Sequence, residues 1–122
     1  MVWRCCWIGI PCRRLRHGPG GRCDFVLGDR FGAACAPAVS RLVERNLQNL
    51  GYRVARNIPY AGGYTTEQYG RPARRVHALQ IEINRDLYLD EAKVSITHNF
   101  QRLRSDLESL FAALAAADWR QI

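Results

Sequence analysis

An α/β layer fold, with helices covering a largely parallel sheet, is what this 122-residue sequence predicts, on three observations. Apolar stripes at helical spacing alternate with short apolar runs of strand length. The elements follow in the order β-α-β-loop-β-α, the pattern of strands joined by covering helices. Apolar residues make up 48% of the chain, enough for a buried core in one compact domain.

Residues 18–22 (GPGGR) make a flexible break. Phe25, Val26 and Leu27 form a short buried-strand candidate that ends at Gly28. Pro37 suits the first turn of a helix. Val39, Leu42, Val43, Leu47 and Leu50 then lie on one apolar stripe, and Gly51 supplies the stop. Residues 52–56 read as a strand. Residues 58–75 show neither helical nor strand period, and so long a loop in a compact domain is usually functional or disordered. Residues 76–84 are the next strand. Ile96, Phe100, Leu103, Leu107, Leu110, Phe111 and Leu114 mark a long amphipathic helix running to about Asp118.

The net charge is +7. Ordinarily that suggests nucleic acid or an anionic surface. Its distribution argues otherwise. Arg4, Arg13, Arg14, Arg16 and Arg22 stand in the first 22 residues with no acid, and the remainder is nearly balanced. Cysteine is skewed alike: Cys5, Cys6, Cys12 and Cys23 crowd the front, with Cys35 apart, at spacings unlike those of paired zinc knuckles. Reduced, structurally idle thiols are expected. No apolar run reaches 18 residues, so no membrane span is expected. The opening stretch lacks the order of a secretory leader, and a cytoplasmic location is expected.

Chemistry concentrates on the strand 76–84. Leu79, Ile81 and Ile83 share one face, and Gln80, Glu82 and Asn84 the other, with Arg85 just past the end. One reading is an antiparallel strand with a wet face. The other is that strands covered by helices are buried on both faces, so a polar row near a strand's end marks a ligand crevice. There Glu82 would serve as general base and Arg85 would clamp a substrate carboxylate.

Four blocks in order, Asp24–Gly32 (DFVLGDRFG), Pro59–Tyr64 (PYAGGY), Tyr69–Pro72 (YGRP) and His77–Arg85 (HALQIEINR), resemble the N-formylglutamate amidohydrolase family over about residues 23–118. The resemblance implies an incomplete three-layer α/β sandwich of the zinc carboxypeptidase-like (phosphorylase/hydrolase-like) kind. It implies zinc-dependent hydrolysis of N-formyl-L-glutamate to formate and glutamate, with zinc activating water and polarising the formyl oxygen. Glu82 inherits the acid/base role. Asn84 and Arg85 become candidates for holding the substrate carboxylate, the alternative for Arg85 being a salt bridge to Asp86 or Asp90. Gly62, Gly63 and Tyr64 would wrap the substrate or form a plain turn. Asp29 and Arg30 would line the cleft or pair. His77 reads as structural, and His98 is assigned nothing. Family members are longer, so an amino-terminal half is expected to be missing. With it would go the zinc ligands, leaving this chain metal-free and inactive alone.

The front end differs from the family's metal-binding strand, which ends in Asp-x-His-Ser-x-Pro. Back-translated with each codon's third base joined to the next codon's first two, the opening residues read Gly-Val-Ala-Val-Leu-Leu-Asp-Trp-His-Ser-Met-Pro. The Leu-Leu-Asp is forced; the His, Ser, Met and Pro are permitted. Residues 1–22 are therefore expected to be a frame-shifted, poorly ordered segment outside the family domain. Two rivals stand beside the amidohydrolase fragment. One is a basic module for nucleic acid or an acidic partner, resting on the front arginines with Arg71, Arg74 and Arg75. The other is a non-catalytic half of a split enzyme. Deleting residues 1–22 would abolish salt-dependent binding by a basic module and leave the family fold little affected.

Overall fold

The computed structural model describes residues 4–12, by their backbone course alone, and residues 22–122. Its elements are β1 (Arg4–Cys12), β2 (Phe25–Gly28), α1 (Pro37–Asn49), β3 (Val54–Arg56), α2 (Tyr64–Tyr69), β4 (Val76–Asn84), β5 (Leu89–Asp90), β6 (Ser95–Ile96) and α3 (Asn99–Ala116). The strands β1-β4-β2-β3 lie side by side in that order, and β5 with β6 forms a separate small ribbon.

The sheet is mixed, which corrects the expectation of a largely parallel one. β1 pairs parallel with β4, and β2 pairs parallel with β3, but β2 and β4 run antiparallel, with Phe25 opposite Ile83 and Gly28 opposite Gln80. The connections explain this. α1 carries the chain back across the sheet between β2 and β3, as a parallel pair requires. Residues 57–75 make no such crossing, so β4 starts at the end where β3 stops and runs the other way. As a result, the carboxyl ends of β2 and β3 and the start of β4 meet at one end of the sheet.

The core lies on one face. Phe25 and Leu27 of β2 and Leu79 and Ile81 of β4 pack against Val39, Val43 and Leu47 of α1 and Leu103, Leu110 and Leu114 of α3. Fully burying each such side chain is worth about 1.5–3 kcal/mol. α1 begins at Pro37 and stops where expected: Gly51 takes φ +93, and its N–H donates to the Gln48 carbonyl at 2.9 Å. Tyr52, predicted in a strand, instead precedes β3. It packs edge-on against Phe25 (4.9 Å between centroids) while its hydroxyl donates to Asp106 at 2.6 Å. Ile96 leaves the predicted helical stripe for β6, where it pairs with Leu89 and is exposed. α2 interrupts the stretch predicted to be irregular, and at six residues it is too short to show a helical stripe.

Val26 lies on the opposite face, packed with Cys23 and Ala55. Gln80 and Glu82, its neighbours across the β2–β4 pairing, share that face. Arg4–Cys12, predicted to be poorly ordered, forms a strand in nine-residue register with β4. The stretch keeps Trp7, Ile8 and Ile10 in the reading frame as it stands, and β4 offers it an edge with unmade hydrogen bonds.

Candidate active site

Glu82 is 4% exposed and stands near the carboxyl end of β4. Burial raises its pKa above the ordinary carboxylate value, and a hydrogen bond from Gln80 only partly opposes that. Gln80, 6% exposed, donates its amide Nε2 to Glu82 Oε1 at 2.5 Å and accepts the Gly63 N–H on its own oxygen at 2.8 Å. Asn84 completes the row at 2% exposure. Its amide donates to the Cys23 carbonyl at 2.9 Å, and its oxygen accepts the Asp86 N–H at 3.1 Å. The row is therefore buried, and the wet-face reading of β4 does not describe this strand. Asn84 ties the end of β4 to the entry of β2.

The glycine loop is held close by the residues it lacks. A Cβ on Gly28 would lie 2.6 Å from the Gly62 nitrogen, and a Cβ on Gly62, at φ +115, would lie 2.5 Å from Thr66 Oγ1. Residues 61–63 thus rest directly on the end of β2, which aims the Gly63 N–H at Gln80. Tyr64 opens α2 and is 73% exposed, so its ring is available to a ligand. The structure brings Gly62, Gly63, Gln80 and Glu82 together.

It does not bring Arg85 to that loop. Arg85 lies five residues beyond Gln80, about 16 Å along the strand. It is half-buried in the turn Arg85–Leu87, and neither acid proposed as its partner takes it: Asp86 pairs with Arg22 at 3.6 Å and Asp90 with Lys93 at 3.9 Å. Glu82 stands between the two ends.

Asp29 does not line the cleft, which corrects the preferred expectation for it. It is fully buried. Its carboxylate accepts from Ser40 Oγ (2.7 Å), Arg56 Nη2 (2.7 Å), Asn57 Nδ2 (2.8 Å) and the Gly32 N–H (3.1 Å). Burial alone would raise its pKa, but these donors outweigh it and hold the carboxyl below its ordinary value. Arg30 pairs with Glu67 at 3.1 Å and donates to the Gly62 carbonyl. Asp29 and its partners form a brace behind the glycine loop, tying α1, β2 and β3 together. Sequence reasoning gave no role to Asn57, which bonds Asp29, or to Gln80, which bonds Gly63 and Glu82; the polar row on β4 was the signal for the second.

His77 is buried, and Nδ1 accepts the Ala36 N–H at 3.2 Å, in keeping with the structural reading. Burial lowers its pKa. Cys23 and Cys35 are buried thiols, and the Cys23 thiol donates to the Phe25 carbonyl at 2.8 Å. The side chains of Cys5, Cys6 and Cys12 lie outside the described residues. Arg71, one of the arginines behind the basic-module reading, spends its guanidinium on the carbonyls of Glu67 and Gly70. Among the described residues, no three His, Cys, Asp or Glu side chains converge as a metal site would require. No helix among the described residues is long and apolar enough to cross a membrane.

Comparisons with known proteins agree on one family. A sequence model of N-formylglutamate amidohydrolase matches residues 9–89. N-formylglutamate deformylase of Pseudomonas aeruginosa is 39% identical over 69 residues, 56% of this chain and 26% of that protein. The Pseudomonas putida enzyme of the same name is 37% identical over 84 residues, 69% of this chain and 27% of that protein. The crystal structure of N-formylglutamate amidohydrolase from Ralstonia eutropha JMP134 superposes with a TM-score of 0.84 at 39% identity, covering 99% of this chain and 45% of that one. The matches thus span about a quarter of the curated relatives' length.

Proposed function

Because this chain belongs to the N-formylglutamate amidohydrolase family, we propose that it supplies the acid/base strand of an enzyme that hydrolyses N-formyl-L-glutamate to formate and glutamate. The observation that carries this is Glu82, a carboxyl buried near the end of β4, with no countercharge among the described residues, and raised in pKa by that burial. A general base works best with a pKa near the working pH, and desolvation moves a glutamate in that direction. In this reading Glu82 takes a proton from the water that attacks the formyl carbon. As the C–N bond breaks, it passes that proton to the departing amine nitrogen. Exposed Tyr64 and the Gly62–Gly63 backbone line one side of the substrate, and Arg85 takes a substrate carboxylate on the other.

Zinc, in this proposal, belongs to the complete enzyme, with its ligands outside the described residues, and no step is assigned to it here. The chain by itself would be inactive, and its cytoplasmic location is part of the same proposal. The test is formate release from N-formylglutamate by residues 23–122 joined to an amino-terminal half read in the restored frame, with and without Glu82→Gln. Arg85 has its own signature. A clamp on a carboxylate remote from the reacting atoms acts on ground and transition states alike. Arg85→Ala should therefore raise KM for N-formylglutamate with little change in kcat, and steady-state kinetics showing an unchanged KM would remove Arg85 from the site.

A further inference from the structure

We infer that Gln80 is the positioning residue for Glu82: clamped by the Gly63 amide, it pins Oε1 of the carboxylate and leaves Oε2 to exchange the proton. This rests on Glu82 being the proton carrier, as proposed above. The direction of the chain of bonds is forced. A backbone N–H can only donate, so the Gly63 N–H at 2.8 Å fixes the oxygen of the Gln80 amide on its side. The nitrogen of that amide must then face Glu82, where it lies 2.5 Å from Oε1. Among the described residues, Oε2 accepts no such bond.

The clamp is built from the backbone outward. Gly28 lets residues 61–62 settle on β2, and the Thr66 hydroxyl, donating to the Gly63 carbonyl at 2.6 Å, holds Gly63 from its other side. The Gly63 amide therefore reaches Gln80 from a fixed place, and the setting of the glycine loop passes through one side chain to the carboxylate. An amide that donates to a carboxylate stabilises its charged form, so Gln80 opposes the burial that raises Glu82. Burial and this bond are the two influences on Glu82 among the described residues, and no charged group there adds to them.

The experiment reads the carboxyl directly and does not need turnover. With side-chain carboxyl 13C-labelled glutamate in the whole chain, the Glu82 signal is the one absent from Glu82→Gln, and its midpoint is followed by NMR against pH. In Gln80→Met, which keeps the length of the side chain and removes the donor, the midpoint should move up. In Gln80→Glu, an oxygen still accepts the Gly63 N–H, but a second carboxylate now faces Oε1. The pair should then titrate in two separated steps, the upper one above the Gln80→Met midpoint. A purely fold-supporting glutamine would change the unfolding temperature and leave the Glu82 midpoint in place. An unmoved or lowered midpoint in Gln80→Met, or coincident steps in Gln80→Glu, overturns the inference. Loss of the Glu82 role itself would show instead as full formate release by Glu82→Gln in the complete enzyme, with these titrations unaffected.

Discussion

Asp29→Ala should lower the stability of the chain by about 3–5 kcal/mol, because removing one member of a buried ion pair strands the rest. Arg56, Asn57 and Ser40 would each keep a donor aimed at an empty place. That is a large share of the roughly 5–15 kcal/mol that holds a domain together. Asp29→Asn serves as the milder variant: it preserves shape, yet it turns an amide N–H toward the Ser40 and Arg56 donors. Urea unfolding at several pH values checks both the size and the sign. A carboxyl held below its ordinary value in the folded state contributes stability that is present above its unfolded pKa, near 4. That contribution is lost as pH falls through the folded value. Wild type should therefore lose stability with acid below about pH 4, and Asp29→Asn should lose less over the same interval. Equal acid slopes would mean that Asp29 is not the brace described.

How much of this could be read from the sequence depended on the range of the interactions. α1 was legible because its stripe, Pro37 and Gly51 are all local signals, and the structure places Val39, Val43 and Leu47 in the core. β4 was legible because the alternation of apolar and polar residues from Leu79 to Asn84 needs no distant partner to be seen. Its direction against β2 was not. Side-chain alternation is the same in parallel and antiparallel strands, and the path of residues 57–75 decided the matter. Glu82 emerged from alternation together with the resemblance. Gln80 emerged only as a member of the polar row, because its role depends on a bond to Gly63, 17 residues away. Asp29 was misread for the same reason. A charged residue following a strand suggests an open cleft until Ser40, Arg56 and Asn57 are brought around it.

The claim on which the account turns is that Glu82 carries the proton. Its buried carboxyl is costly at neutral pH. A group whose folded pKa is raised contributes stability below its unfolded pKa, and that contribution is lost as pH rises through the folded value. Glu82→Gln relieves that cost and keeps an oxygen to accept the Gln80 amide, so the variant should unfold at an equal or higher temperature at pH 7–8. Its catalytic effect should be the opposite. A general acid/base contributes about 10²–10⁴-fold, and glutamine can neither take nor return a proton. The deciding measurement is formate released from N-formylglutamate by the complete enzyme and by its Glu82→Gln variant, side by side at saturating substrate. The kcat should be lower by about 10²–10⁴-fold in a variant that is folded and no less stable. Near-full formate release by Glu82→Gln would contradict it, leaving β4 a structural strand with a buried polar row.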